Sequence, residues 1–154
     1  MNFGIFGLFS KNFIGFMGCF YLMIGHALVA SLLFFFIGIL YDRYKTRIVL
    51  YYGGLFTIMP LWSLFFFLVI LANFGLPGTI NFVGEFLILL SFFKINFIII
   101  FFLFLGLLLT LCYSLFLYNR LAHGYLKEEF IRYYSDLSRR EFYLSFMIIF
   151  MIYL

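Results

Sequence analysis

The sequence predicts an all-α, multi-pass membrane protein of about four transmembrane helices, one of them discontinuous at Gly75–Gly78, with an amphipathic helix at the interface. Three observations predict it. Of 154 residues, 67% are hydrophobic and 10% are charged, whereas a soluble domain carries about 25% charge, so a single water-soluble core is excluded. The apolar residues fall into runs long enough to cross a bilayer. The ten Lys and Arg, which outnumber the six Asp and Glu, sit only between those runs, so the basic balance reads as a topology signal rather than a nucleic-acid surface.

The first run, Phe13 to Leu40, has 28 residues without a charge, or about 42 Å of helix, enough to span a core of about 30 Å with tilt. It exceeds a signal-peptide core and lacks an A-x-A-like cleavage site, so no removable targeting segment is expected and the chain reads as mature as written. The second run, Leu55 to Phe93, has 39 residues. It is too long for one straight helix, and Gly75-Leu76-Pro77-Gly78 interrupts it: Pro77 lacks an N–H and the glycines are poor helix formers. Gly53-Gly54 reads as a helix opening, not a phosphate cradle. Phe97 to Tyr118 is a third span. The fourth, Phe142 to Leu154, has 13 residues, about 20 Å of helix, so it thins the membrane locally, packs beside longer helices, or is shortened. Gly124 to Arg140, including KEEFIRYYSDLSRRE, mixes charges with Tyr and Leu and is expected to form the interface helix. The 154 residues read as one membrane domain.

Charge argues how often the broken run crosses. Arg43, Lys45 and Arg47 precede it, and Arg120, Lys127, Arg132, Arg139 and Arg140 follow the third run. One crossing places all of these on the same side, with only Lys11 and Lys94 opposite, and the positive-inside bias favours that arrangement. Tyr41 to Gly54 and Asn119 to Glu141 are therefore expected on the inner side.

Glu85 is the only carboxylate inside an apolar run. A charge at membrane depth costs at least about 3 kcal/mol, so such a residue faces protein or water and is a candidate for ion or proton transfer. Asn81 stands one helical turn before it on the same face, and Asn73 and Thr79 flank the break. Unwound backbone at that depth is tolerated only against protein or a water-filled cavity, and broken helices build ion sites in transporters. His26 lies mid-span on a face shared with Gly15, Gly18, Cys19 and Ala30. Small residues mark a packing face, so the imidazole points into a bundle, where either nitrogen can pass a proton. Both residues have a structural alternative: a carboxylate pairing with a neighbouring helix, and a histidine bonded to a backbone carbonyl. His123 reads as a solvated interface residue and Lys94 as a snorkelling one. Cys19 and Cys112 lack CxxC spacing and read as inert buried thiols. No metal-ligand cluster, nucleotide-binding loop or cofactor-binding residue is expected in this chain.

The stretches GHALVASLLFFFIGILYDRYKTR (Gly25 to Arg47), YYGGLFTIMPLW (Tyr51 to Trp62), LANFGLPGTINFVGEFLIL (Leu71 to Leu89) and YSLFLYNRLAHGYLKEEF (Tyr113 to Phe130) resemble the NADH dehydrogenase subunit 4 family. These are antiporter-like, proton-pumping subunits of respiratory complex I. The resemblance covers nearly the whole chain in order, is most specific in GLPGTINFVGEF, and is nearest to mitochondrial versions. It implies an inner-membrane location and a polar axis along the middle of the membrane. His26 then corresponds to the family's histidine on that axis, and Glu85 to the acidic residue of the second broken helix, on the proton exit side. FMN, iron–sulfur clusters and ubiquinone are expected in other subunits, and no redox chemistry in this chain.

The glutamate and lysine of the family's first repeat have no counterpart here, so this chain alone lacks a complete proton path. It looks like the C-terminal piece of a split subunit, whose expected partners are a second chain bearing the missing spans, neighbouring antiporter-like subunits and lipid. The alternatives are a piece that only fills and fastens the arm, or a subunit of a cation/proton antiporter or membrane hydrogenase.

Overall fold

The computed structural model describes residues 2–93, 97–125 and 135–153. Among them are seven α-helices and no strand: α1 Asn2–Phe9, α2 Phe13–Tyr44, α3 Leu55–Ile58, α4 Pro60–Asn73, α5 Ile80–Phe93, α6 Phe97–Ala122 and α7 Arg139–Tyr153, with a single 3-10 turn at Val49–Tyr51. Two of them, α2 and α6, are long and apolar enough to cross a membrane, while α4 and α5 are shorter apolar helices.

The axis of the molecule is α2. Its buried positions recur at Gly15, Gly18, Leu22, Gly25, Val29, Leu32, Phe36 and Ile39, the three-and-four spacing of one helix face. The N-terminal half of that face is lined with glycine, which lets α5 approach backbone to backbone. A Cβ on Gly18 would lie 2.9 Å from the Gly84 carbonyl oxygen, and one on Gly84 would lie 2.7 Å from the Leu22 nitrogen. In lipid, apolar side chains gain little by leaving their solvent, so close van der Waals packing through small residues is what holds helices together.

The C-terminal half carries large side chains and packs on α4 instead. Phe36 meets Trp62 edge to face, Trp62 stacks on Phe66 at 4.7 Å, and the fully buried Trp62 indole N–H donates to the Phe36 carbonyl at 3.3 Å. Moving up α2 from Gly18 to Gly25 moves down α5 from Gly84 to Asn81, and moving from Phe36 to Tyr44 moves down α4 from Trp62 to Met59. Thus α4 and α5 lie in series, both antiparallel to α2, along its length of about 48 Å.

The chain reaches α4 by a step the sequence reading passes over. Met59 breaks the run after the single turn of α3, and α4 restarts with Pro60 at its first position. Proline cannot donate to the preceding turn but suits the start of a helix, whose first N–H groups have no partner within it.

At the other end of the sequence, residues 135–138 are not helical. Ser138 opens α7: its N–H donates to the Glu141 carboxylate at 2.7 Å and its hydroxyl accepts from the Glu141 N–H at 3.4 Å. This reciprocal cap places the start of α7 at Arg139, inside the segment assigned above to an interface helix. Of that segment, 126–134 lies outside the described residues. α7 packs beside α2 and α4, turning Ser145, Ile149 and Ile152 inward. Cys19 is buried, whereas Cys112 is exposed on α6, most of whose surface has no neighbour among the described residues.

Candidate functional site

The break between α4 and α5 occupies residues 74–79. Gly75 and Gly78 take positive φ values of 78° and 101°, on either side of Pro77, a conformation open to glycine at no steric cost. The loose ends are tied locally. The Gly75 N–H donates to the Ala72 carbonyl at 3.2 Å, and the Leu76 N–H to the Leu71 carbonyl at 3.1 Å. Thr79 is buried, and its hydroxyl donates to the Leu76 carbonyl and accepts from the Phe82 N–H, capping the start of α5.

Glu85 folds back over this break. A Cβ on Gly75 would lie 3.0 Å from the Glu85 carboxyl carbon, so only glycine leaves room for the side chain there. No described residue hydrogen-bonds or ion-pairs with the carboxyl group. Instead it faces a cavity of about 480 Å³ that His26 of α2, Asn73 of α4 and Asn81 of α5 also line. His26 is half-buried and likewise has no side-chain partner among the described residues. The two residues singled out from the sequence, 59 positions apart, therefore share one cavity, walled by polar and apolar side chains, beside an unwound stretch of backbone.

The fourth wall comes from α6, through Gly106, Thr110 and Tyr113. Sequence reasoning missed Thr110 and Tyr113. The signal was available: with Gly106 they fall on one helical face of an otherwise apolar run. Asn81 is 4% exposed; its amide donates to the Ala72 carbonyl at 3.0 Å, while its Oδ1 has no partner. His123 is not part of this site. Its ring lies at the opposite end of α6, exposed, 5.9 Å from Phe56 and from Tyr118. Lys94 lies outside the described residues.

A second polar cluster closes the far end of the bundle. The Arg43 guanidinium donates to Glu141 at 2.9 Å, to the Met59 sulfur at 3.6 Å and to the Ser135 carbonyl. Asp136 accepts the N–H groups of Leu61 at 2.9 Å and Trp62 at 3.2 Å, the second and third residues of α4. The helix that Pro60 starts thus takes its cap from a residue 75 positions later. Arg43, counted above only as a sidedness charge, is the centre of this cluster.

The comparisons with known proteins agree with this geometry. The chain is 51% identical over 141 residues to NADH-ubiquinone oxidoreductase chain 4 of Marchantia polymorpha, a match covering 92% of this chain and 28% of that protein. It is 47% identical over 144 residues to the chain of the same name from Chondrus crispus, covering 94% and 29%. It is 40% identical to NADH-quinone oxidoreductase subunit M of Rhodobacter capsulatus, covering 92% and 28%. The chain therefore spans about three tenths of the length of the curated relatives it matches. Among solved structures, a chain of respiratory complex I from Thermus thermophilus with bound NADH superposes with a TM-score of 0.87 at 28% identity, over 99% of this chain and 32% of that one. Residues 1–112, which include His26, Asn73, Asn81, Glu85 and Thr110, match the family described as NADH:quinone oxidoreductase/Mrp antiporter, transmembrane. With its broken helix, its glycine-lined seam and its cavity between His26 and Glu85, the chain belongs to that transmembrane family.

Proposed function

We propose that this chain forms part of the proton-translocating membrane arm of an NADH:ubiquinone oxidoreductase in the mitochondrial inner membrane, where it helps couple quinone reduction to proton pumping. The observation that carries the reading is the shared cavity: His26 and Glu85 both line it, and neither is bonded to a described residue. A carboxyl group committed to an ion pair holds its charge. One that faces a polar cavity can alternate between neutral and charged as protons arrive and leave. Glu85 is the proton carrier in this reading. His26 relays to it through the cavity, accepting on one ring nitrogen and releasing from the other. Thr110 and Tyr113 supply hydroxyl groups on the α6 wall. The unwound backbone from Phe74 to Thr79 lets the cavity reach the carboxyl group without passing through a continuous helix.

The multi-pass topology belongs to the same proposal, with α4 and α5 together making one crossing and the basic residues near the ends of α2 and α6 on the matrix side. The remaining spans that a proton path needs, and the flavin, iron–sulfur and quinone chemistry, are assigned to other parts of the complex, including a separate chain bearing the missing spans. No redox step is placed in this chain.

The test is Glu85→Gln in the assembled complex, reconstituted into vesicles, with proton uptake measured against NADH oxidation. Loss of pumping with the complex still assembled is the expected result. Parental pumping overturns the role of Glu85. A second reading, in which the chain mainly fastens the arm, is favoured by the Arg43, Asp136 and Glu141 cluster that straps α2, α4 and α7 together. It predicts undisturbed pumping in Glu85→Gln and loss of assembly when the cluster is cut.

A further inference from the structure

Asn81 holds an unusual place for a polar residue at this depth. It stands in the first turn of α5, is buried, and touches both other helices that meet at the break. Its amide nitrogen donates to the Ala72 carbonyl, in the last turn of α4, at 3.0 Å. That carbonyl can only accept, so the nitrogen must be the atom facing it, and Oδ1 is turned the other way. There Oδ1 meets Gly25 of α2, where any Cβ would collide with it, and it has no hydrogen-bond partner among the described residues. The glycine leaves only a Cα–H to face the oxygen, a weak contact. One side chain thus spans the gap between the half-helices and keys them against α2. Glu85, one turn further along α5, lies over Gly75 with no bond of its own to fix it there.

We propose that Asn81 is a positioning residue: its bond across the break sets where the Glu85 carboxyl group stands relative to Gly75 and to the cavity shared with His26. The inference rests on the reading of Glu85 as a proton carrier and deepens it. A proton hop depends steeply on donor–acceptor placement, and a misplacement of about 1 Å can cost about a hundredfold in rate. The unwound segment 74–79 contains no regular helix, and to the local bonds of Gly75, Leu76 and Thr79 the Asn81 bond adds a direct tie from α5, one turn before Glu85, to the last turn of α4.

Two variants in the assembled complex test this, with proton uptake per NADH oxidised as the readout at two pH values, each normalised to the parent. Asn81→Asp is nearly isosteric but donates to the Ala72 carbonyl only while protonated. It is expected to pump closer to the parental ratio at the lower pH than at the higher one. Asn81→Ala removes the donor without adding a charge and is expected to lose about tenfold at both pH values. The titratable groups that line the cavity with Asn81 are His26 from α2, Glu85 from α5 and Tyr113 from α6, while α4 brings the neutral Asn73. The carboxyl group that Asn81→Asp adds also acts on Glu85 one turn away, so Asn81→Ala, which adds no charge, is the variant that assigns the loss to the missing donor.

Parental pumping in both variants overturns the inference. So does failure of both to assemble, or a drop in assembly with an unchanged pumping ratio, since each of these marks a bond that only holds the fold. Glu85→Gln measured alongside separates the two ideas. If that variant pumps normally, the reading of Glu85 fails whatever position 81 does; if it does not pump while both Asn81 variants do, the positioning role alone fails.

Discussion

The two polar clusters of this chain use the same residue types to opposite ends. At the far end of the bundle, Asp136 accepts three backbone N–H groups, from Leu61, Trp62 and Leu137, and Glu141 takes both the Arg43 guanidinium and the Ser138 N–H. At the break, Glu85 has a cavity and a glycine beside it and accepts nothing from the described residues. Carboxylates whose acceptor positions are filled are fixed in one place. In the proposed function, the carboxyl group left unengaged is the one that exchanges a proton. The lesson is that the number of partners, more than residue type or depth, separates the clamp from the candidate carrier.

Cutting the clamp at its centre gives the largest expected effect on stability. Arg43→Ala strands Glu141 in a half-buried setting, with side-chain exposures of 12% and 27% for the two partners, and leaves the Ser135 carbonyl without its donor. A loss of about 2–3 kcal/mol is expected, below the range for a fully buried pair because solvent screens part of it. It is measured as a fall in the thermal midpoint of the isolated complex on a native gel. A shift no larger than that of a surface lysine variant would show that the clamp is not holding α2 to α7.

A smaller cut sharpens the comparison. Asp136→Ala removes the only side-chain cap of α4 among the described residues, since Met59 at its N-cap provides none. Loss of such a cap costs about 1 kcal/mol, and Asp136→Asn is expected to recover part of it because one oxygen can still accept. The check is the order of thermal midpoints, with the parent above Asp136→Asn and Asp136→Ala lowest. Equal midpoints in the two variants would mean that the charge, rather than the acceptor, does the capping.

Which of these features could be read from the sequence follows from how local their causes are. The interruption at Gly75–Gly78 is written in four consecutive residues, and Glu85 stands out as the lone carboxylate in an apolar run. The glycine face of α2 also shows as a spacing. Asp136 on α4 and Arg43 on Glu141 do not, because these partners are 75 and 98 positions apart and a single sequence carries no trace of a pairing at that distance. Arg43 therefore reads as a sidedness charge until the fold brings Glu141 to it. Two misses were local. Pro60 after an apolar turn marks a helix start, and Ser138 with Glu141 three residues on is a capping signature, which sets the α7 boundary inside the stretch given to the interface helix. Thr110 and Tyr113 stand in an apolar helix where a hydroxyl often bonds its own backbone, as the Thr110 hydroxyl does to the Leu107 carbonyl at 2.7 Å, so the residue type alone does not mark them as cavity-lining.

The smallest expected effect on stability is also the most decisive for the comparison. Glu85→Gln keeps the shape of the side chain, and no hydrogen bond or ion pair to a described residue is lost with the charge. The complex is therefore expected to keep its stability to within about 0.5 kcal/mol of the parent, the range of substitutions that break no packed or bonded feature, read as an unchanged thermal midpoint. A structural carboxylate would behave otherwise. If Glu85 held a neighbouring helix as Glu141 holds Arg43, removing its charge would strand the partner and lower stability to the same degree as Arg43→Ala. Unchanged stability with lost pumping would set the break apart from the clamp by function. A midpoint that falls as far as it does in Arg43→Ala would place Glu85 with Asp136 and Glu141, as a third fastening of the bundle.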